Sequence, residues 1–291
     1  MLCSCGLLLG VLALCITSVP GELHEPQLAI TVECILDNKG HNAAQRGFDP
    51  KHIMQYGFYS YEFLDFIVEP LITEMGGHLW SQPETDAHVR CLLDTPIARQ
   101  AVQFLVDLVY KYHVSPTPAE AGHYQNIFMS GKVAMYIDGS WMLANLSQGI
   151  HSFGWDVGPF PSWNGVSASS AQGIGNSIDV NSAHQEAAWT LVKWLSGPQG
   201  QAVIANDGNA LPASPAYAYS AAYLRGKPAG VPSLLKSIKN TVPYLDFPHK
   251  ANAFNYIDAQ LLTVFAGMTS VSAGVKKAAA GANTYLQGGH P

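Results

Sequence analysis

Carboxylates are the side chains in this sequence that come nearest to a reactive set. Glu62 and Glu69 stand seven residues apart, on similar faces of a helix, and Asp138 follows a short apolar run. Paired carboxylates are what acid–base cleavage of a glycosidic bond requires. A solvated or capping role accounts better for the two glutamates. Other reactive patterns are missing: there is no G-x-S-x-G elbow, no H-E-x-x-H helix and no P-loop. Gly173-Ile174-Gly175 lacks the third glycine of a dinucleotide fingerprint. The eleven histidines are scattered without metal-ligand spacing. The five cysteines (Cys3, Cys5, Cys15, Cys34, Cys91) form no pair of C-x2-C knuckles. The expectation is a protein without catalysis, cofactor or metal. Cys34 and Cys91 are read as free thiols packed like small hydrophobes, although they could pair.

Binding chemistry is better represented. Phe128-Met129-Ser130-Gly131-Lys132-Val133-Ala134-Met135-Tyr136-Ile137-Asp138-Gly139-Ser140-Trp141 reads as a helix end, a tight glycine turn, a buried strand and then Gly-Ser-Trp at the strand's C-terminal edge. Open α/β sheets bind ligands at that edge. Gly139 admits a ligand close to the backbone, Ser140 opens a helix with free N–H groups, and Trp141 offers a flat apolar face to a sugar ring. The competing reading of Trp141 is an ordinary core tryptophan.

The elements that must hold this turn follow from periodicity. Residues 62–75 read as a helix ended by Gly76-Gly77, after an aromatic run at 55–63. Residues 95–113 read as an amphipathic helix with Thr95 as N-cap and Pro96 in the first turn. Further helices are expected at 124–129, 140–146, 182–195 (Ser182 as cap), 198–206, 231–238, 254–268 and 270–286, strands at 133–137, 155–160 and 175–180, and an extended stretch at 211–219. Helices alternating with short buried strands argue an α/β fold. Trp155, Trp189 and Trp194 are assigned to the core.

The 128–141 segment resembles the extracellular solute-binding proteins of the sugar ABC-importer type, maltose-binding-protein-like, with their F-x-x-G-K-x-A-M, strand, G-x-W pattern. The resemblance continues through Trp155-Asp156-Val157-Gly158-Pro159-Phe160-Pro161, Glu186-Ala187-Ala188-Trp189, Lys193-Trp194-Leu195 and Gly208-Asn209-Ala210-Leu211-Pro212, with Gly47-Phe48-Asp49-Pro50 upstream. It implies a type II periplasmic-binding-protein fold and a carrier that takes a sugar or oligosaccharide in an interlobe cleft and presents it to an ABC-importer permease. It adds Tyr59 and Tyr61 on the cleft wall, Gly175 and Asn176 at the return to the other lobe, and Asn255 near the cleft. The family's first lobe segment, its Trp-containing helix and its Lys-Leu-Thr stretch have no counterpart before Leu36-Asp37. The implied organisation is therefore N-terminally truncated: 28–170 and 221–287 form a nearly complete C-lobe, and 171–220 is the return segment of a mostly missing N-lobe. In this reading Trp194 and Leu195 lose the sheet that should cover them. A carbohydrate-active hydrolase using Glu62 or Asp138, and a non-functional gene remnant, stay open as alternatives.

Composition agrees with a neutral ligand. Of 291 residues only 12% are charged, 48% are hydrophobic, and the net charge is -6 without a basic cluster, which argues against nucleic-acid binding. Residues 1–27 are signal-like or foreign. The apolar run 6–19 matches a signal-peptide core but has no Lys or Arg before it. Leu12-Ala13-Leu14-Cys15 faintly resembles a lipoprotein box that would anchor Cys15. The expected setting is extracytoplasmic, and the expected state is a monomer.

Overall fold

The computed structural model describes residues 35–42, 45–59, 64–81, 89–122, 124–158, 160–171, 175–208, 210–238, 241–243 and 245–291. The first half of the chain contains β1 (Leu36–Asp37), β2 (Ile53–Tyr59), a π-helical turn (Leu64–Val68), α1 (Glu69–Glu74), α2 (Pro96–Tyr110), α3 (Pro118–Ala121), α4 (Tyr124–Met129), β3 (Val133–Tyr136) and α5 (Met142–Gly149). The second half contains β4 (Ser169–Ala171), α6 (Gln185–Ser196), α7 (Pro198–Asp207), α8 (Pro215–Ala218), α9 (Ala221–Leu224), α10 (Val231–Ser237), β5 (Thr241–Pro243), α11 (Lys250–Phe265) and α12 (Val271–Leu286). The fold is α/β, as expected.

Local chemistry explains most element ends. The Thr95 hydroxyl accepts the Ala98 N–H at 3.4 Å and Pro96 opens α2, whose buried face is Ala98, Ala101, Val102, Leu105, Leu108 and Val109. Gly208 ends α7 in the left-handed conformation, at φ 74°. Some expectations are corrected. Residues 155–158 and 175–180 form no strand, because among the described residues no neighbouring strand takes up their backbone groups. The 211–219 stretch is not extended throughout: Pro215 starts α8 after an extended Ser214. The helix expected from Ser182 starts later, with His184 as N-cap, while the Ser182 hydroxyl accepts the His184 N–H at 3.2 Å.

The main sheet has the order β1-β2-β3, with β1 antiparallel and β3 parallel to β2. Tyr59 lies opposite Tyr136, so β2 and β3 end at the same edge. The helical hairpin of α11 and α12 backs this layer. Gly274 and Gly281 of α12 are what let it close, since a Cβ at either position would overlap Val264 or Tyr256 of α11. Asn283 then ties α12 to the chain before α2, accepting the Cys91 N–H at 2.8 Å and donating to the Cys91 carbonyl at 3.3 Å. Cys91 is a buried free thiol, and Cys34 lies outside the described residues.

Two hydrophobic cores result. The larger joins the sheet to α1, α2, α11 and α12. The smaller comprises Leu143, Ala205, Ala218, Tyr223, Val231 and Leu235. Helix α5 stands between them, with Met142 and Leu146 in the first and Leu143 in the second, and Trp155 packs against both. A parallel ribbon of β4 and β5 brackets residues 172–240. Just before β4, the Ala168 N–H donates to buried Glu74 at the end of α1, at 2.9 Å. Helix α6 buries no residue. Trp189 and Trp194 are 50% and 45% exposed, so neither is the core residue expected.

Candidate functional site

The turn after β3 carries an exposed aromatic, Trp141, beside Tyr136 and Asp138. Tyr136 ends β3, and Asp138 follows two residues on. The Tyr136 hydroxyl donates to Asp138 Oδ2, and the Gly139 N–H donates to Asp138 Oδ1 at 2.6 Å. The chain then turns into α5, with the Gly139 carbonyl accepting the Met142 N–H at 3.0 Å. Trp141 occupies the N-cap position of α5 in helical geometry and makes no capping bond of its own. Its ring therefore remains available, 46% exposed.

Two contacts fix that ring. A Cβ at Gly139 would overlap the six-membered ring of Trp141, so glycine is required beneath it. Phe66, on the π-helical turn after β2, packs against it with centroids 5.2 Å apart and planes tilted by 57°. Burial pushes the Asp138 carboxyl above its usual range, and the donors from Tyr136 and Gly139 counteract that in part. A carboxylate so engaged is a structural acceptor rather than a free acid or base.

The other expected site residues are distributed differently. Gly139, Ser140 and Trp141 form the turn itself. Tyr59 ends the adjacent strand but is only 2% exposed, so its side chain belongs to the core rather than a cleft wall. Gly175 and Asn176 lie exposed beyond β4, and Asn255 lies on the exposed side of α11. No hydrogen bond or ring contact joins these three to the turn among the described residues. Tyr61 and Glu62 lie outside the described residues. Glu69 opens α1, where a carboxylate complements the helix N-terminus. Sequence reasoning missed Tyr136 and Phe66, and took Asp138 as an acid or base of the hydrolase alternative.

Among the described residues no group of three His, Cys, Asp or Glu is placed to hold a metal ion, and no helix is long and apolar enough to cross a membrane. A cavity of about 20 Å³ lies between the sheet and α2, lined by Phe58, Leu71, Glu74, Phe104 and Ile137 among others. That is room for about one water, not for a sugar. Within it Glu74 is raised to about 7 by burial, against the lowering effect of the Ala168 N–H.

These features describe an α/β protein with an exposed aromatic at the C-terminal edge of its parallel strands. Residues 45–202, more than half of the chain, match the family of bacterial extracellular solute-binding proteins, and the chain belongs to that family. No curated protein matches the sequence. Among solved structures, UspC of M. tuberculosis is similar with a TM-score of 0.65 at 21% identity, over 86% of this chain and 62% of that one. The maltose-maltodextrin binding protein of Alicyclobacillus acidocaldarius gives 0.62 at 24%, over 79% and 61%. The maltose/maltodextrin-binding domain MalE from Bdellovibrio bacteriovorus, solved bound to maltotriose, gives 0.69 at 20%, over 94% and 68%. The fold is thus the type II periplasmic-binding-protein fold. The chain spans less than two thirds of the length of the UspC and Alicyclobacillus proteins.

Proposed function

We propose that this chain is the substrate-binding component of an ABC importer for a sugar or oligosaccharide, acting outside the cytoplasm as a monomer and without catalysis. The observation that carries this reading is Trp141, a half-exposed tryptophan clamped over Gly139 at the C-terminal edge of two parallel strands. An aromatic face stacks on a sugar ring, while the Gly139-Ser140 backbone accepts and donates hydrogen bonds to its hydroxyls. Family membership and the carbohydrate named with the Bdellovibrio structure support this choice of ligand. The partner is the permease of the importer, and the absence of catalysis is supported by Asp138 being tied to the Tyr136 hydroxyl and the Gly139 N–H.

In this reading 28–170 and 221–287 form one lobe and 171–220 belongs to the other. The uncovered α6 supports the division, because a helix bearing Trp189, Leu191 and Trp194 normally lies against another layer. Gly175 and Asn176 then serve the cleft from the second lobe, and Asn255 and Tyr61 its rim. Calorimetry against a panel of oligosaccharides tests the proposal. Saturable binding that Trp141→Ala abolishes, with no hydrolysis of glycosides on incubation, is the expected result. Binding unchanged in Trp141→Ala, or turnover of a glycoside, would overturn it.

A further inference from the structure

We infer that Glu74 is a proton-operated latch on the β4–β5 ribbon, holding the entry of β4 while its carboxyl is neutral and releasing it more readily when charged. The ribbon matters because the chain runs out through β4 and back through β5, with α6 to α10 between them. It is a slight structure. Each strand has three residues, and Pro243 brings no N–H to the ladder. A buried contact anchors it. Glu74, at the end of α1, is 5% exposed and accepts the N–H of Ala168, the residue before β4, at 2.9 Å.

The surroundings of Glu74 make this contact depend on charge. The carboxyl abuts the cavity of about 20 Å³, whose other side chains are apolar: Phe58 of β2, Ile67 of the π-helical turn, Leu71 of α1, Phe104 of α2, and Ile137 and Phe160 beyond β3 among them. A water needs about two to four polar partners and finds one such side chain there, so a charge on Glu74 is not hydrated in place. The elements around it supply no counter-charge. Glu69 opens α1, Arg99 and Lys111 pair with Asp94 and Asp107, and the Asp138 carboxylate is engaged by Tyr136 and Gly139. His78, beyond α1, is exposed, and burial raises Tyr56 of β2 well out of the neutral range. Relief therefore comes by movement. Of the two partners α1 is the fixed one, with Leu71 and Ile72 buried beside Glu74. A Cβ at Gly77 would overlap Ile97, so the chain after α1 is tightly seated as well. The short β4 is what yields, and Glu74 then reaches water.

Linkage gives the sign and the size. Seated, the carboxyl stands at about 7, because burial outweighs the lowering by the Ala168 N–H, against an ordinary 4.5 in water. Between those values the seated form keeps the proton and the released form loses it. Release thus becomes about tenfold easier per pH unit as pH rises, and levels off above the seated value. In the reading proposed above, residues 171–220 form the second wall of the cleft. A loosened ribbon then weakens ligand capture at alkaline pH, and this last step rests on that reading.

Amide hydrogen exchange from pH 5 to pH 8, with the intrinsic rate at each pH divided out, tests the latch without a ligand. Protection of Ala168, Ser169 and Ser170 should stay below that of Leu105 and Leu108 in α2, which report opening of the whole core. It should fall about a hundredfold between pH 5 and pH 8. Glu74→Gln keeps an acceptor for the Ala168 N–H, and in it that fall should vanish. Ribbon protection that ignores pH in the wild type would overturn the inference without need of any variant. So would ribbon amides as protected as those of α2 at every pH, or a fall that persists in Glu74→Gln. An oligosaccharide that the wild type binds should be held more weakly at pH 8 than at pH 5, and equally at both by Glu74→Gln. Equal affinity in the wild type at both would overturn the coupling to the cleft. A wild type that binds no sugar at all would instead sink the carrier reading and leave the exchange result standing.

Discussion

The six-membered ring of Trp141 fills the space in which a Cβ at position 139 would stand. Gly139 has no unusual backbone angle to explain it, so its role is steric. Gly139→Ala should push the indole off its seat and away from Phe66. Overpacking of this kind costs about 1–3 kcal/mol. Because Trp141 is exposed, the ring can yield outward and the cost should fall at the low end. The expected outcome is a small drop in chemical-denaturation stability and a large loss of sugar affinity. Equal affinity in Gly139→Ala would mean that the seated orientation is not the binding one.

Glu74 should make stability depend on pH. Its carboxyl stands at about 7 in the folded protein against an ordinary value of 4.5, because burial in an apolar cavity disfavours the charge. Between those values the folded state holds more protons than the unfolded one. Stability therefore falls as pH rises through that window, and the deficit is complete above the folded value. At about 1.4 kcal/mol per unit the effect reaches at most about 3.5 kcal/mol. Glu74→Gln keeps an acceptor for the Ala168 N–H and removes the charge. Denaturation at pH 5 and pH 8 should show the variant gaining on the wild type only at the higher pH. A gain of the same size at both would discount the carboxylate as the cause.

Much of the fold was readable because local signals and tertiary packing agree. Thr95-Pro96 starts α2, Gly208 ends α7, and Ser270 caps α12 through the Ala273 N–H at 3.3 Å, each where the residue types demand. The strands were harder. β2 is coded by an aromatic run that carries no clean alternation, and only its parallel partner β3 makes it a strand. Conversely, 155–158 and 175–180 carry strand-like residues but have no strand to pair with among the described residues. At the site, Gly139-Ser140-Trp141 was visible as a motif. The burial of Tyr59 was not, because a tyrosine at a strand end reads the same whether it faces a cleft or the core. The bond from Tyr136 to Asp138 required coordinates, since the spacing of two residues past a strand end does not say which side chains meet.

Asn283 should matter more than its place near the chain end suggests. It satisfies both backbone groups of Cys91 and so ties α12 to the chain before α2. Asn283→Ala leaves a buried N–H and C=O unpaired, at a cost of about 1–3 kcal/mol. Cys91→Ala keeps those bonds and should cost less than removal of a large core side chain. In thermal melts the asparagine variant should fall further than the cysteine variant, and the reverse order would show that packing rather than hydrogen bonding secures α12.

Helix α6 gives the last prediction. Its Trp189, Leu191 and Trp194 are exposed at 50%, 57% and 45%, and its contacts to the body run through the partly buried Ala188, Val192 and Leu195. Removing a buried tryptophan costs about 3–5 kcal/mol. A half-exposed one that closes no core should cost under about 1 kcal/mol. The double variant Trp189→Gln, Trp194→Gln should therefore melt within a few degrees of the wild type while self-associating less, because contiguous apolar surface drives association. Amide hydrogens of 185–196 should also exchange faster than those of 96–110, whose helix buries six side chains in the larger core. Both measurements have a clear contrary result. A large destabilisation by the double variant, or protection in α6 equal to that in α2, would mean that in solution this helix is covered by something, and cross-linking through a cysteine placed at 191 would then identify what covers it.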